Sequence, residues 1–466
     1  MLPVVALVGR PNVGKSTLFN VLTRSRDALV ADQPGVTRDR QYGICQAARR
    51  AFFVVDTGGL NDSREPLAEA TVRQSLAAVE EAELAVFVVD AKDGLLPQDQ
   101  VILEQLRRFG RPVLLAVNKS DGKDPEQCLA EFSRLGIKTS LAISSAHKTG
   151  VDLLVRTIEA QLPAAAESEA EAAEGEDTAT RVAIIGRPNV GKSTLVNRLL
   201  GEERMIASAV PGTTRDAIRV AIERDGRDYL LVDTAGVRRR ARVEDAVEKF
   251  SVIKTLQTLH EVDVAVVLLD AQEGVTDQDA TVLGLALEQG RALVIAVNKW
   301  DGLSSYQRER CVAELDRKLV FVPWAERCFI SAKHGSGLGE LMAAVDRAAA
   351  SAAANFGASE VTRALEMALA ANPPPMVSGH TAKPRYAHFG GNHPPRFVIH
   401  GNRLDALPQH YLRYLENFFR KRFKLIGSPV VLDLRKGNNP YAGKKNVLTE
   451  AQLAKRRRLI RHVKQR

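Results

Sequence analysis

Four cysteines in 466 residues, Cys45, Cys128, Cys311 and Cys328, form no C-x-x-C pair. That spacing excludes a disulfide framework and a zinc site, and suits core thiols in a reducing compartment. No apolar run approaches the roughly 20 residues that a bilayer-spanning helix needs. The apolar start, Leu2 to Val8, lacks a basic segment before it and leads directly into a glycine-rich loop, so a first strand is expected there and not a signal peptide. No amphipathic membrane helix or lipidation signal is visible. Acidic residues are scarce at one end: residues 383–466 hold 20 Lys and Arg against 4 Asp and Glu, +16 in a chain of net charge +9.

One stretch occurs twice. Gly9-Arg10-Pro11-Asn12-Val13-Gly14-Lys15-Ser16-Thr17-Leu18 returns as Gly186-Arg187-Pro188-Asn189-Val190-Gly191-Lys192-Ser193-Thr194-Leu195, each copy after an apolar run. Both fit G-x-x-x-x-G-K-[ST], a strand feeding a loop whose backbone N–H groups surround phosphate oxygens at a helix N-terminus. A lone match can be an accidental strand-to-helix turn; duplication removes that reading. Lys15 and Lys192 would reach the outer phosphates, and the Ser16 and Ser193 hydroxyls would complete the shell of a magnesium ion, Mg2+.

Further elements repeat in order. Thr37 in P-G-V-T-R-D and Thr214 in P-G-T-T-R-D are equivalent and could close on magnesium when a γ-phosphate is present. Strand-like runs at Gln41 to Ala47 and Ala51 to Val55 follow, and Asp225-Gly226 marks the tight hairpin of the second copy. Asp56-Thr57-Gly58-Gly59 and Asp233-Thr234-Ala235-Gly236 close the next strand. The aspartates can hold magnesium through water, and the Gly59 and Gly236 amides can bind the γ-phosphate. Leu60 and Val237, directly after D-x-x-G, have no side-chain hydrogen-bonding atom with which to orient an attacking water. Buried strands are expected at Ala85 to Asp90 and Val264 to Asp270, continuous apolar runs that a parallel strand covered on both faces requires.

The base is chosen by Asn118-Lys119-Ser120-Asp121 and Asn298-Lys299-Trp300-Asp301. A carboxylate accepting from guanine's N1–H and exocyclic amine finds no such edge on adenine, which leaves a buried charge unpaired. GTP and GDP are therefore the expected nucleotides. Lys119 and Lys299 would lay their stems on the base, and the asparagines would brace the phosphate loop. Ser144-Ser145 and Ser331-Ala332 follow a last strand where backbone amides could meet guanine O6. His147 and His334, beside these loops, read as surface histidines.

These elements in this order resemble the small translational GTPases, and two complete sets predict two tandem P-loop GTPase domains, each α/β with a doubly wound, mostly parallel sheet. A small basic domain after them makes the chain resemble the double Era-like GTPases called EngA or Der. The expected layout is GTPase domain 1 at 1–163, an acidic flexible linker at 164–179, GTPase domain 2 at 180–354, a small α+β KH-like domain at 355–440 and a basic tail at 441–466. The resemblance implies a cytoplasmic bacterial GTPase acting in assembly of the large ribosomal subunit and binding its rRNA, weighed against two alternatives, service to an RNA-modifying partner and membrane signalling. The first would need a further catalytic constellation and the second a membrane anchor, and neither is visible. Asn12 and Asn189 match the asparagine by which potassium-stimulated relatives hold a monovalent cation, K+. A monomer off the ribosome is expected.

In the third domain, Arg396 to His400 and Pro429 to Leu434 read as strands, and Leu407 to Phe423 as a helix with Tyr411, Leu412, Leu415, Phe418 and Phe419 on one face. Those aromatics are expected in the core. No G-x-x-G occurs, so the nucleotide clamp of ordinary KH modules is not expected. Arg413, Arg420, Lys421, Arg422 and Lys424 would occupy the rest of the helix or its end, and the tail beyond Lys444 would add phosphate contacts.

Overall fold

The computed structural model describes residues 2–23, 41–45, 48–57, 79–163, 179–201, 206–209, 219–232, 251–377 and 380–436. Two compact units emerge, Met1–Ala353 with Leu425–Pro429, and Ala354–Lys424 with Val430–Arg466.

The first unit holds two sheets. In the first, β1 (Val4–Val8) pairs in parallel with β3 (Phe53–Asp56) on one side and with β4 (Leu84–Asp90) on the other. β5 (Val113–Asn118) and β6 (Ser140–Ala142) extend it in parallel, and β2 (Gln41–Ile44) adds an antiparallel edge. The second sheet repeats this plan from β7 (Thr180–Ile185), with β8 (Ile206–Ala209), β9 (Val220–Arg224), β10 (Arg227–Val232), β11 (Val264–Asp270), β12 (Ala292–Asn298) and β13 (Glu326–Phe329). Every residue of β4 and β11 is buried, as strands covered on both faces require. Along β1 the side chains alternate: Val5 and Leu7 join Leu18 and Leu22 in one cluster, whereas Val4, Ala6 and Val8 enter another. The α/β reading thus holds for both copies.

Strand limits shift slightly from those expected. The first hairpin uses Gln41–Ile44, shorter than the run to Ala47 suggested, and Phe53–Asp56, which starts two residues and ends one residue later than Ala51 to Val55. Asp225 and Gly226 form the expected tight turn, with φ of 51° and 73°, the mirror-image geometry that suits strand twist.

The cores of the two nucleotide domains also join. One apolar cluster runs from Val4, Phe53 and Phe87 of the first sheet to Ile253, Leu256 and Val267 around the second. Its centre is the helix Val252–Glu261, called α1 here, which carries buried Gln257 and Thr258 as well as its apolar residues. Gln257 Nε2 donates to the Leu2 carbonyl at 2.9 Å, and Ser251 Oγ donates to Glu81 at 2.6 Å. The His260 ring meets Phe53 edge-on at 6.0 Å.

The second unit has a three-stranded sheet, β16 (Lys383–Gly391), β17 (Arg396–Asn402) and β18 (Val431–Lys436), after two short strands, β14 (Met376–Val377) and β15 (His380–Thr381). β16 runs antiparallel to β17, and β18 parallel to it. Helices α2 (Ala358–Ala371) and α3 (Gln409–Arg422) belong to the same unit. Tyr411, Leu415 and Phe419 are the buried side of α3, with Leu412 and Phe418 half-buried. Phe419 stacks on Phe397 at 4.6 Å, and Phe423 lies 4.4 Å from Phe356, so the aromatics are core as expected. Arg420 departs from the outward basic face: it is half-buried, bonds Asn417 Oδ1 at 2.7 Å, and burial lowers its pKa. A 3-10 turn, Leu404–Ala406, is separated from α3 by only Leu407 and Pro408.

Candidate nucleotide sites

Both phosphate loops adopt the same backbone. Asn12 and Asn189 have φ of 66° and 65°, and Gly14 and Gly191 have φ of 94° and 100°. A Cβ on Gly14 would lie 2.3 Å from Asn118 Nδ2, and one on Gly191 2.4 Å from Asn298 Nδ2, so glycine is needed for closeness as well as for φ. Val13 and Val190 are buried and anchor each loop. Pro11, Asn12, Asn189, Thr17 and Thr194 are exposed, whereas Pro188, Ser16 and Ser193 are half-buried.

Each lysine folds over its own loop. Lys15 Nζ donates to the Gly9 and Arg10 carbonyls at 2.8 and 2.7 Å, and Lys192 Nζ to those of Gly186 and Arg187 at 3.0 and 2.8 Å. Burial lowers the Lys15 pKa to about 8, against the Asp56 carboxylate, which favours its charge. An ammonium so placed gains from an incoming anion. The Ser16 hydroxyl and Asp56 carboxylate are hard oxygen donors, the set that suits magnesium.

The asparagines tie three segments together. Asn118 Nδ2 donates to the Val13 carbonyl at 2.8 Å, while its Oδ1 accepts from the Ser145 amide and hydroxyl, both at 3.0 Å. Asn298 Nδ2 donates to Val190 O at 2.8 Å, and its Oδ1 accepts from the Ala332 amide at 2.9 Å. The Ser145 and Ala332 amides are thus taken by asparagine, as the Ser144 and Ser331 amides are by Thr149 and Ser336. Ser144 Oγ donates to Asp121 Oδ1 at 3.0 Å. Bonds from Lys92 and Ser144 hold Asp121 below the ordinary carboxylate range, and a Ser331 bond does the same for Asp301. Both carboxylates are therefore kept ionised as acceptors.

Several partners were not legible as site residues. Lys119 Nζ meets Asp90 at 2.6 Å and the Asn12 carbonyl at 2.8 Å, and Lys299 meets Asp270 at 2.5 Å. Lys119 thus reaches from its own loop to the phosphate loop. Arg10 Nε contacts Asp99 at 2.8 Å, and Arg187 reaches Asp279 at 3.4 Å and Glu273 at 2.6 Å. Asp99 and Asp279 are wholly buried and also accept the N-cap amides of the helices Pro97–Arg108 and Asp277–Glu288. Both arginine side chains thus brace the loop from behind and leave its front to backbone amides. The repeated Gln-Asp pair in the first turn of each helix was the available signal. His334 lies at the surface as expected and approaches Asp301 at 3.3 Å.

Thr57 Oγ1 donates to Leu7 O at 2.7 Å and Ser120 Oγ to Ile143 O at 2.9 Å. Trp300 packs on Phe329 at 4.2 Å. Thr37, Gly58, Gly59, Leu60, Thr214, Asp233, Thr234, Ala235, Gly236 and Val237 lie outside the described residues, as do the linker at 164–178 and the tail from 437. No group of three or more metal-ligating side chains occurs among the described residues, and no helix among them is long and apolar enough to cross a membrane.

A glycine-rich loop at the C-terminal ends of a mostly parallel sheet, with an asparagine brace and a poised carboxylate, defines a P-loop GTPase domain, present here twice. The family described as "50S ribosome-binding GTPase" matches residues 4–119 and 181–299, and the one described as "KH-domain-like of EngA bacterial GTPase enzymes, C-terminal" matches residues 356–435. GTPase Der of Stenotrophomonas maltophilia is 60% identical over 465 residues, and that of Xylella fastidiosa 56% identical over 467, each with 100% of both chains covered. A solved structure of Era in complex with MgGDPNP and a 16S ribosomal RNA segment is 20% identical, with a TM-score of 0.30 over 68% of this chain and 97% of that one. The chain belongs to the GTPase Der (EngA) family. It is a GTPase with two active sites, and GTP and GDP are its nucleotides.

Proposed function

We propose that GTP binding and hydrolysis at the two sites control binding of the basic C-terminal region to ribosomal RNA during assembly of the large ribosomal subunit. The observation that carries this reading is the match of both nucleotide domains to a 50S ribosome-binding family, in a chain alignable end to end with GTPase Der. The charge of +16 over residues 383–466 supports an anionic polymer as the partner. The domain limits are those expected above: 1–163, 164–179, 180–354, 355–440 and 441–466.

In this reading Lys15 and Lys192 hold the outer phosphates. Magnesium is held by Ser16, Thr37 and Asp56 in one site and by Ser193, Thr214 and Asp233 in the other, where it neutralises charge on the phosphates. The Gly59 and Gly236 amides bind the γ-phosphate, and Asp121 and Asp301 read guanine. Asn12 and Asn189 hold a potassium ion. The protein works in the cytoplasm as a monomer when off the ribosome.

The test is co-sedimentation with large ribosomal subunits in GDP and in a non-hydrolysable GTP analogue. Pelleting that depends on the nucleotide supports the reading. Failure to pellet in either state, with salt-resistant binding to anionic liposomes, overturns it in favour of membrane signalling.

A further inference from the structure

The sheet of the second unit has two unlike faces. Paired residues across its strands share a face, so Phe397 and Leu432, and Ala387, Ile399 and Leu434, form one side, which carries the aromatic core. The register places Tyr386, His400 and Arg435 in one row on the opposite side, one residue from each strand. Tyr386 and His400 lie parallel, ring centroids 4.6 Å apart and planes 8° apart, and His388 continues the column at 5.1 Å. Tyr386, at one end of the column, is 49% exposed, and the Arg435 side chain, paired with Asp433 Oδ2 at 3.3 Å, is 59% exposed.

This arrangement is more than sheet packing requires. Apolar packing places rings inward, yet here three rings stack outward in the most basic part of the chain, beside a guanidinium. Burial, with the positive fields of His388 and Arg435 and against the Asp433 carboxylate, lowers the His400 pKa. Stacked rings extend readily by one more flat ring, and a nucleobase supplies that ring with its phosphate close to a cation. A β-sheet face bearing exposed aromatics is a general means of reading unpaired RNA. The unit has no G-x-x-G clamp to grip a strand elsewhere.

We propose that the row Tyr386, His400 and Arg435 is a stacking platform for unpaired RNA bases, with Tyr386 as the outer ring and Arg435 as the phosphate contact. The inference rests on the RNA-binding reading above and adds to it a site and a preference for single strands. Duplex RNA, whose bases are already stacked, gains nothing from it.

The test uses the full chain and fluorescein-labelled RNA, a 12-nucleotide uridine strand and a duplex of equal length, titrated by anisotropy at several salt concentrations. Tyr386→Ala should weaken single-strand binding by about 5- to 150-fold, the range for one base stack. Its salt slope and its duplex binding should not change. Tyr386→Phe, which keeps the ring, should bind as the parent does, and Arg435→Gln should lower the single-strand salt slope by about 0.7. His400→Gln, which loses a ring but keeps a polar side chain, serves as the second variant should Tyr386→Ala not fold, and it should weaken single-strand binding too. GTP turnover and the thermal midpoint report folding. Single-strand affinity unchanged in both ring-deleted variants, or an equal loss for the duplex, overturns the platform. Failure of the parent chain to bind either RNA instead overturns the RNA-binding reading itself.

Discussion

The two asparagine braces differ by one hydrogen bond, which makes each site a control for the other. Asn118 makes three bonds, to Val13 O, Ser145 N and Ser145 Oγ, whereas Asn298 makes two, because position 332 is alanine and has no hydroxyl to give. Both side chains are buried, so truncation strands their partners away from water. Each stranded polar group costs about 1–3 kcal/mol. Asn118→Ala should therefore cost roughly 1 kcal/mol more than Asn298→Ala, about fivefold in nucleotide affinity. The assay is titration with fluorescent GDP, each site measured in a chain whose other site is blanked by Lys15→Ala or Lys192→Ala. Ser145→Ala alone should weaken the first site about fivefold and, combined with Asn118→Ala, add almost nothing further. Equal losses at the two sites, or full additivity of Ser145→Ala with Asn118→Ala, would refute the brace as the cause.

Asp121→Asn and Asp301→Asn should each shift the affected site toward xanthosine nucleotides, since the carboxamide then faces a base edge carrying an oxygen; undiminished GTP affinity would remove Asp121 or Asp301 from base reading. GTP hydrolysis should run faster in potassium than in sodium at equal ionic strength, and Asn12→Ala or Asn189→Ala should shrink the gap; equal rates for the parent end the cation idea. Deleting Lys444 to Arg466 should lower the salt slope of duplex RNA binding, by about 0.9 for each phosphate no longer neutralised, with free GTP turnover unchanged; an unaltered slope excludes the tail. Burial and the nearby Arg291 lower the His260 pKa below 6.5, with Glu261 opposing. Its unfolded state therefore binds the proton more readily, and folded stability should fall as pH drops from about 6.5 toward the folded value. The thermal midpoint of His260→Leu should fall less over that window than the parent's.

Much of the site was legible because its chemistry is local in sequence. A phosphate loop needs glycines, a lysine and a hydroxyl within one turn, and the strand before it must be apolar on both faces, so Gly9 to Ser16 and Val4 to Val8 read directly. Asn118 could be assigned as the brace because its repeat at Asn298 sat in the same order. Contacts across the fold left fainter traces. Asp99 touches Arg10, 89 residues away in sequence, only because a later helix starts behind the loop, and nothing in the spacing of G-R-P-N announces that. The bond from the Ser145 amide to the Asn118 carboxamide joins residues 27 apart, and nothing in the local spacing of either loop announces it. In the second unit the helix face was readable from its aromatic spacing, whereas the Tyr386 and His400 column depends on strand register, shifted by a bulge between Pro384 and Tyr386.

The helix Val252–Glu261 is chained to the second nucleotide site by sequence, since it follows Asp233-Thr234-Ala235-Gly236, yet Gln257 and His260 on it touch Leu2 and Phe53 of the first domain. A helix that fills two cores cannot shift to suit one of them without opening a gap in the other, and gaps in packed interiors are costly. The two domains therefore share a packed helix as well as a chain. If nucleotide at the second site displaces that helix, the first domain feels it, and thermodynamic reciprocity requires the first site to answer with equal strength.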